Sequence, residues 1–489
     1  MKTHQETPDP EVVTTDFATL ADGSVAELIE DPDDATRTLF AVCQAGGVRF
    51  ERQLEVGGRT IVPFRRHDEV LKHIRLASGA QPYVDVMELF TGIFRTFHLC
   101  VDLEVLHLYL LSCFALSTWF IDDLPVAPYL ALLGPPQSGK TTILRTLNLL
   151  CRRSLLTTDV SSAAFYRACD RFTPTLLIDE TATAGDKRTL FHLLRSGSTP
   201  GFVALRRNES FRCFGAKAVA WIELPNDAAL NSRFIIIPTR ESRRNNLLRP
   251  TDPWILKFAD ILQRAALQFR LEKYHALTAP RIPDGQLIYS RSRDLFQALG
   301  LPISEEPRLL GPLAPILEEQ RQFSREPLSP RQSAALRTML TCAHDQASER
   351  LLFFMKSIGQ AANRLLECAG EKFQMKEREV GAVLMSLGIA NRKRTNQGWA
   401  VCMDLTLRKY LHDLASENGI DYEETQSGSR ESCELCTGLR TGEIQQSSSQ
   451  SIHPGGRESN KIDQRQNRHS RRGRRSADSR ARTHSAKPI

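Results

Sequence analysis

Residues Gly134 to Thr141 read G-P-P-Q-S-G-K-T, a spacing suited to holding phosphate. Glycines at 134 and 139 let a loop turn its backbone N–H groups toward an anion. Lys140 is placed to reach the β and γ phosphates of a nucleotide, and Thr141 to put its hydroxyl on Mg²⁺. The apolar run "YLALL" before it reads as a buried strand, and a helix starting near Lys140 would aim its positive end at the same phosphates. The expected cradle is therefore Gly134, Pro135, Pro136, Gln137, Ser138, Gly139, Lys140, Thr141 and Thr142, with ATP and Mg²⁺ as ligands.

A second constellation, "TPTLLIDE", ends a short apolar run in Asp179 and Glu180. A carboxylate at the tip of a buried strand can hold a Mg²⁺ shell, and the next one can polarise an attacking water. Asp179 is the candidate metal-side acid and Glu180 the candidate general base. Together with Lys140 they predict hydrolysis rather than binding alone. The 38 residues from Thr141 to Asp179 leave room for a helix, a strand and a helix, an expectation that puts the acid strand directly beside the cradle strand.

These residues need a rigid frame, and residues 128–240 offer one. Short apolar runs ("YLALLG", "SLLTTD", "TLLIDE", "AVAWIEL", "RFIIIP") alternate with amphipathic segments, the pattern of an α/β three-layer core with a parallel sheet between helices. Around it the chain divides into an acidic disordered arm at 1–37, a mixed and helical pre-domain at 38–125, the ATPase core at 126–245, a helical lid and connector at 246–349, a winged helix-turn-helix at 350–419 and a disordered basic tail at 420–489. The run Val105 to Ile121 falls short of the ~20 residues that span a bilayer and reads as a buried helix, so no membrane association is expected.

Charge is distributed unevenly. The formal net charge is +7, yet Thr437 to Ile489 carries 12 Lys+Arg against 4 Asp+Glu, leaving 52 against 53 for the rest. Eleven cysteines stand singly except Cys433 and Cys436. No leader opens the chain, so reduced thiols and a cytoplasmic location are expected. The "CELC" pair lacks a second pair to complete a zinc site.

Within "GFVALRRNESFRCFG" the residues alternate on both sides of "NES", which predicts a β-hairpin with Arg206, Arg207 and Arg212 near its tip. In the final folded unit, "ANRKRTNQGWAVCM" reads as two strands flanking a wing, whose Arg392, Lys393 and Arg394 suit DNA phosphates. A solvated hairpin and a protein-binding winged unit are the alternatives.

Through "GPPQSGKT", "TLLIDE", "LLRSGSTPG", "AVAWIELP" and "ALNSRFI", the chain resembles the AAA+ P-loop ATPases of the superfamily 3 and MCM-like helicase branch. It is closer still to the helicase-like ATPases of plasmids and integrated mobile elements. The resemblance covers about residues 68–240 and, more loosely, 350–417. It implies that Arg233 in "LNSRFI" is an arginine finger reaching a neighbouring subunit's γ-phosphate, and hence a homo-oligomeric, hexameric ring; a residue that caps its own surface is the alternative. It implies a nucleotide sensor at Glu223 or Asn226, where Glu departs from the more common Asn or Thr. It also implies a hairpin that grips nucleic acid, a DNA partner, and a role in replicating the chain's own element, with a primase or other replication factors supplied separately. The rival function is a nucleotide-switched regulatory or remodelling ATPase that does not unwind.

Overall fold

The computed structural model describes residues 11–44, 47–158, 162–179, 187–206, 209–225, 227–282, 288, 290–323, 328–344 and 352–420. Glu180, Arg207, Asn226, Cys433, Cys436 and the basic tail lie outside them. The chain forms two compact units, residues 1–328 and 329–489.

The first unit is organised around a five-stranded sheet in the order Phe234–Pro238, Tyr129–Leu133, Lys217–Trp221, Thr175–Asp179, Ser154–Thr157. All four pairings are parallel. The three inner strands are almost wholly buried, as a parallel sheet covered on both faces requires. Of its two edge strands, Phe234–Pro238 is capped by a side chain: Ile236 donates its N–H to Gln320 Oε1 at 3.1 Å.

One expectation is corrected here. The acid strand does not neighbour the cradle strand: Lys217–Trp221 lies between them, with Asp179 level with Ala220 and Ala220 level with Leu132. The segment from 141 to 179 has the length for a helix–strand–helix connection, as read. The strand that inserts comes some 40 residues later in the chain, where linear spacing carries no trace of it.

A layer of helices closes one side. Val86–Cys100 starts at Asp85, whose carboxylate accepts the Glu88 N–H at 2.7 Å. Pro253–Lys273 starts at Asp252, with proline in its first turn and Arg270 and Lys273 in its last, a favourable assignment of charge to helix ends. The apolar helix Val105–Ser117 packs against Val86–Cys100, Lys140–Leu150 and Ser290–Gly300. Val105–Asp123 has the length and hydropathy to cross a membrane, but 78% of its most apolar window is buried within the chain, as its reading as a core helix expects.

The amino-terminal segment differs from its reading as an acidic arm. Residues 17–51 supply a four-stranded antiparallel sheet (Phe17–Thr19, Val25–Asp31, Asp34–Gln44, Gly47–Glu51), and Val12–Thr15 pairs in parallel with Arg59–Pro63. Val25, Ala26, Leu28 and Ile29 are buried. Two of its acids, Asp16 and Glu27, have partners far downstream. Glu27, 2% exposed, meets Arg152 at 2.8 Å, Arg153 at 2.8 Å and Arg270 at 3.0 Å. Asp16 pairs with Arg153, and Asp122 with Arg270 at 2.5 Å.

The second unit holds helices Pro330–His344, Met355–Cys368, Glu377–Ser386 and Leu405–Glu417. Its antiparallel sheet runs Leu352–Phe354, Gly398–Cys402, Arg392–Thr395. The hairpin forms where expected. Pro330–His344 joins this unit rather than a connector, packing against Met355–Cys368 and Leu405–Glu417, and Leu352–Phe354, just before Met355, is a strand.

Candidate active site

The cradle strand Tyr129–Leu133 delivers the chain to Gly134, and helix Lys140–Leu150 begins on the far side of the loop. Gly139 caps that helix at φ 87° with no side-chain hydrogen bond to the first turn. Left-handed backbone at this position favours glycine, and it leaves the first-turn N–H groups facing the loop, where an anion is stabilised. Gln137 also takes a positive φ, 66°.

Gly134 is required for another reason. A Cβ there would collide with Thr239 Oγ1 and carbonyl oxygen and with Ser138 Oγ. Thr239 follows the strand Phe234–Pro238; its N–H and hydroxyl both donate to the Leu133 carbonyl, and its Oγ1 lies 2.6 Å from Ser138 Oγ. This buttress was not foreseen. The only signal for it is one polar residue closing an apolar run, which many strands share.

Lys140 is 7% exposed, and its Nζ donates to the carbonyls of Gly134 at 2.7 Å and Pro135 at 2.6 Å. These are neutral acceptors that an anionic oxygen would outcompete. Burial lowers the Lys140 pKa below the ordinary lysine range, and the Asp179 carboxylate opposes that shift.

The decisive contact joins the two motifs. Thr141 Oγ1 donates to Asp179 Oδ2 at 2.7 Å, bridging two strand positions because the helix bearing Thr141 overlies the carboxyl edge of the sheet. Asp179 is buried, and its Oδ1 has no hydrogen-bond partner among the described residues. A buried carboxylate oxygen without a donor is costly, and a hard divalent cation satisfies it. The residues present therefore fit Mg²⁺ at Thr141 and Asp179 and a polyphosphate between Lys140 and the helix terminus.

Arg233 stands at the other end of the sheet. Phe234 pairs with Tyr129, so Arg233 lies by the amino ends of the strands while Gly134 follows their carboxyl ends, about 20 Å away along the strand direction. Its Nη1 donates to Ser198 Oγ at 3.0 Å, and its Nε is buried without a described partner. Arg233 cannot reach the cradle of its own chain. Glu223 is exposed just beyond Lys217–Trp221.

Strands Val203–Arg206 and Glu209–Arg212 pair as the expected hairpin, with Arg206 opposite Glu209. Arg212 is engaged at its base, accepting no load at the tip: its N–H and guanidinium bond Asp170. Phe202, Val203 and Leu205 are exposed instead, Leu205 at 71%. In the second unit, Lys393 and Arg394 are exposed on their strand, whereas Arg392 is half-buried with Nη1 3.4 Å from the Gly381 carbonyl. Trp399, directly across from Arg394, is 50% exposed. The reading of the wing as basic passed over this aromatic.

No family model matches the chain, and no curated protein sequence matches it. Among solved structures it is similar to the C-terminal region of NrS-1 in an apo form, at 10% identity over 78% of this chain and 96% of that one, with a TM-score of 0.37. It is similar to the SCCmec type IV Cch active helicase at 12% identity over 76% and 79%, TM-score 0.38. It is also similar to a full-length MCM homolog from Methanopyrus kandleri at 11% identity over 59% and 75%, TM-score 0.32. At such values the α/β core of this chain rests on its own strand order and site geometry.

Proposed function

We propose that the chain is an ATP-hydrolysing motor of the AAA+ helicase-like type, acting on DNA as a homo-oligomeric ring in the replication of a mobile element. The observation that carries this reading is the 2.7 Å contact of Thr141 Oγ1 with Asp179 Oδ2, beneath an uncapped helix terminus and beside Lys140. When bound, ATP and Mg²⁺ would supply the transferable phosphoryl group and the charge that neutralises it. Lys140 holds the β and γ phosphates in place, Thr141 and Asp179 hold the cation, and the cradle from Gly134 to Thr142 orients the chain of phosphates. Glu180, next to Asp179, is assigned to orient the attacking water.

A strand inserted between cradle and acid supports the AAA+ assignment over simpler P-loop arrangements. The position of Arg233, remote from its own cradle, supports a role across a subunit boundary, where its planar guanidinium would stabilise developing charge. The second unit is read as a winged helix, with Lys393 and Arg394 on DNA phosphates and Arg392 partly committed to its own fold; Arg206 and Arg207 are assigned to nucleic acid at the hairpin tip. A cytoplasmic location and separately supplied replication factors complete the proposal.

The exposed apolar side of the hairpin, Phe202 to Leu205, favours a second reading: a nucleotide-switched remodeller that grips a protein. A strand-displacement assay separates the two. The motor reading expects single-stranded DNA to raise ATP turnover and strands to separate only with ATP. An assembled oligomer that hydrolyses ATP yet never separates strands would establish the remodeller. Arg233→Ala alone should lower turnover by about 10³-fold, with recovery when mixed with Glu180→Gln subunits; normal turnover by the Arg233→Ala protein alone would end the shared-site reading.

A further inference from the structure

We propose that Thr239 is a positioning residue for the phosphate site: its hydroxyl clasps the two ends of the loop from Gly134 to Gly139 and pre-forms that loop before any anion arrives. The inference rests on the reading of the loop as a nucleotide-phosphate site. Thr239 lies one residue past the strand Phe234–Pro238, whose last residue stands level with Leu133, the last of the strand that enters the loop. It is 6% exposed, as is Ser138 near the loop's far end.

The chemistry of the acceptors fixes the direction of each hydrogen bond. The Leu133 carbonyl can only accept, and it takes both the Thr239 N–H at 2.6 Å and the Thr239 hydroxyl at 2.9 Å. With that hydroxyl hydrogen committed, Ser138 Oγ is the donor in its 2.6 Å contact with Thr239 Oγ1. Ser138 Oγ keeps a lone pair, and Lys140 Nζ donates to it at 3.3 Å. One ordered chain of donors therefore runs from Lys140 through Ser138 and Thr239 to Leu133. It ties the entry and the exit of the loop to a residue outside the motif, and bonds linked in this way in a buried setting reinforce one another.

The loop between these ties has little else to hold it. Pro135, Pro136 and Gln137 are exposed, and Gln137 takes a φ of 66°, a left-handed state that a side chain disfavours and that persists only where the surroundings impose it. Ser138, the next residue, is the buried anchor that imposes it. A loop already in its binding shape spares the ligand the cost of ordering it. The same shape serves any diphosphate or triphosphate, so Thr239 contributes to binding throughout rather than to the transition state alone.

The test uses the full chain with Mg²⁺ in excess. Affinities for ADP and for inorganic pyrophosphate are measured calorimetrically, and KM and kcat by ATP turnover, for the parent, Thr239→Ala, Thr239→Ser, Ser138→Ala and the double alanine variant. Thr239→Ala is expected to bind both ligands about 10-fold more weakly and to raise KM by the same factor at unchanged kcat; loss of folded protein would instead lower kcat at constant KM. Thr239→Ser keeps the hydroxyl and should restore the parent's affinity. The double variant should be no weaker than either single one, because both remove the same link. Parent-like affinity in Thr239→Ala, or Thr239→Ser as weak as Thr239→Ala, overturns the assignment and leaves the nucleotide reading standing; a parent that binds neither ligand overturns both. If Thr239→Ala does not fold, Ser138→Ala decides: pyrophosphate bound about 10-fold more weakly supports the clasp, and parent-like binding overturns it.

Discussion

The cradle around Lys140 and the cage around Glu27 are both made of charged side chains withdrawn from water, yet they are built to opposite ends. In the cage, Glu27, Asp16 and Asp122 face Arg152, Arg153 and Arg270 in equal number, with bidentate contact between Arg152 and Glu27 at 2.8 and 2.9 Å. Arg270 also donates to the Trp119 carbonyl at 2.5 Å. In the cradle, Lys140 has only neutral acceptors, Asp179 keeps one oxygen without a described donor, and the helix terminus has no side-chain cap. Charge that is neutralised internally holds the amino-terminal sheet, the cradle helix and Pro253–Lys273 together. Charge left incomplete makes a place for a ligand.

That contrast can be broken by exchanging the consequences of mutation. Glu27→Gln leaves three buried guanidiniums short of an anion and should cost about 3–5 kcal/mol of stability, read by urea denaturation, while turnover per folded molecule stays near normal. Lys140→Ala should do the reverse. Turnover is expected to fall by about 10²–10³-fold, with the denaturation midpoint unchanged or raised, because removing the lysine relieves the burial of its ammonium. A cradle variant that unfolds the protein, or a cage variant that only slows turnover, would erase the distinction.

Acid sharpens the same comparison. Burial alone would raise the Glu27 pKa, but Arg152, Arg153 and Arg270 together hold it at about 2 against an ordinary 4.5. A folded-state pKa below the unfolded one contributes stability that is complete above pH 4.5 and lost as pH falls toward 2. The wild type should therefore lose stability through that window, and Glu27→Gln should show a shallower loss, measured by denaturation at pH steps from 5 to 2.5.

The smallest expected effect lies in the second unit. Lys393→Ala with Arg394→Ala should weaken DNA binding uniformly across sequences and reduce the salt slope by about 2. Trp399→Ala should lower affinity for single strands by about 1–3 kcal/mol per stacked base without changing that slope. A fluorescence titration at several salt concentrations distinguishes them, and unchanged affinity in both variants would remove DNA from this surface.

Local order was legible throughout the core. The glycine loop, the acid strand and the hairpins at 203–212 and 392–402 all follow from turn residues and apolar period, which are properties of neighbouring residues. Phe17–Thr19 and Val25–Asp31, the first two strands of the amino-terminal sheet, were not legible, because Asp16 and Glu27 look solvated until Arg152, Arg153 and Arg270 arrive from more than 100 residues away. Nor was Thr239, whose value to Gly134 lies in a contact across two parallel strands.

Residue types and spacing were thus enough to specify the glycine loop, the acid at Asp179 and the strands that carry them, since backbone geometry and charge act within a few residues. Strand order, the placing of Lys217–Trp221 between the glycine loop and the acid, and the remoteness of Arg233 from its own loop came from packing. Each depends on which distant segments share one core, and that choice is made by burying apolar surface and pairing charge over the whole chain at once.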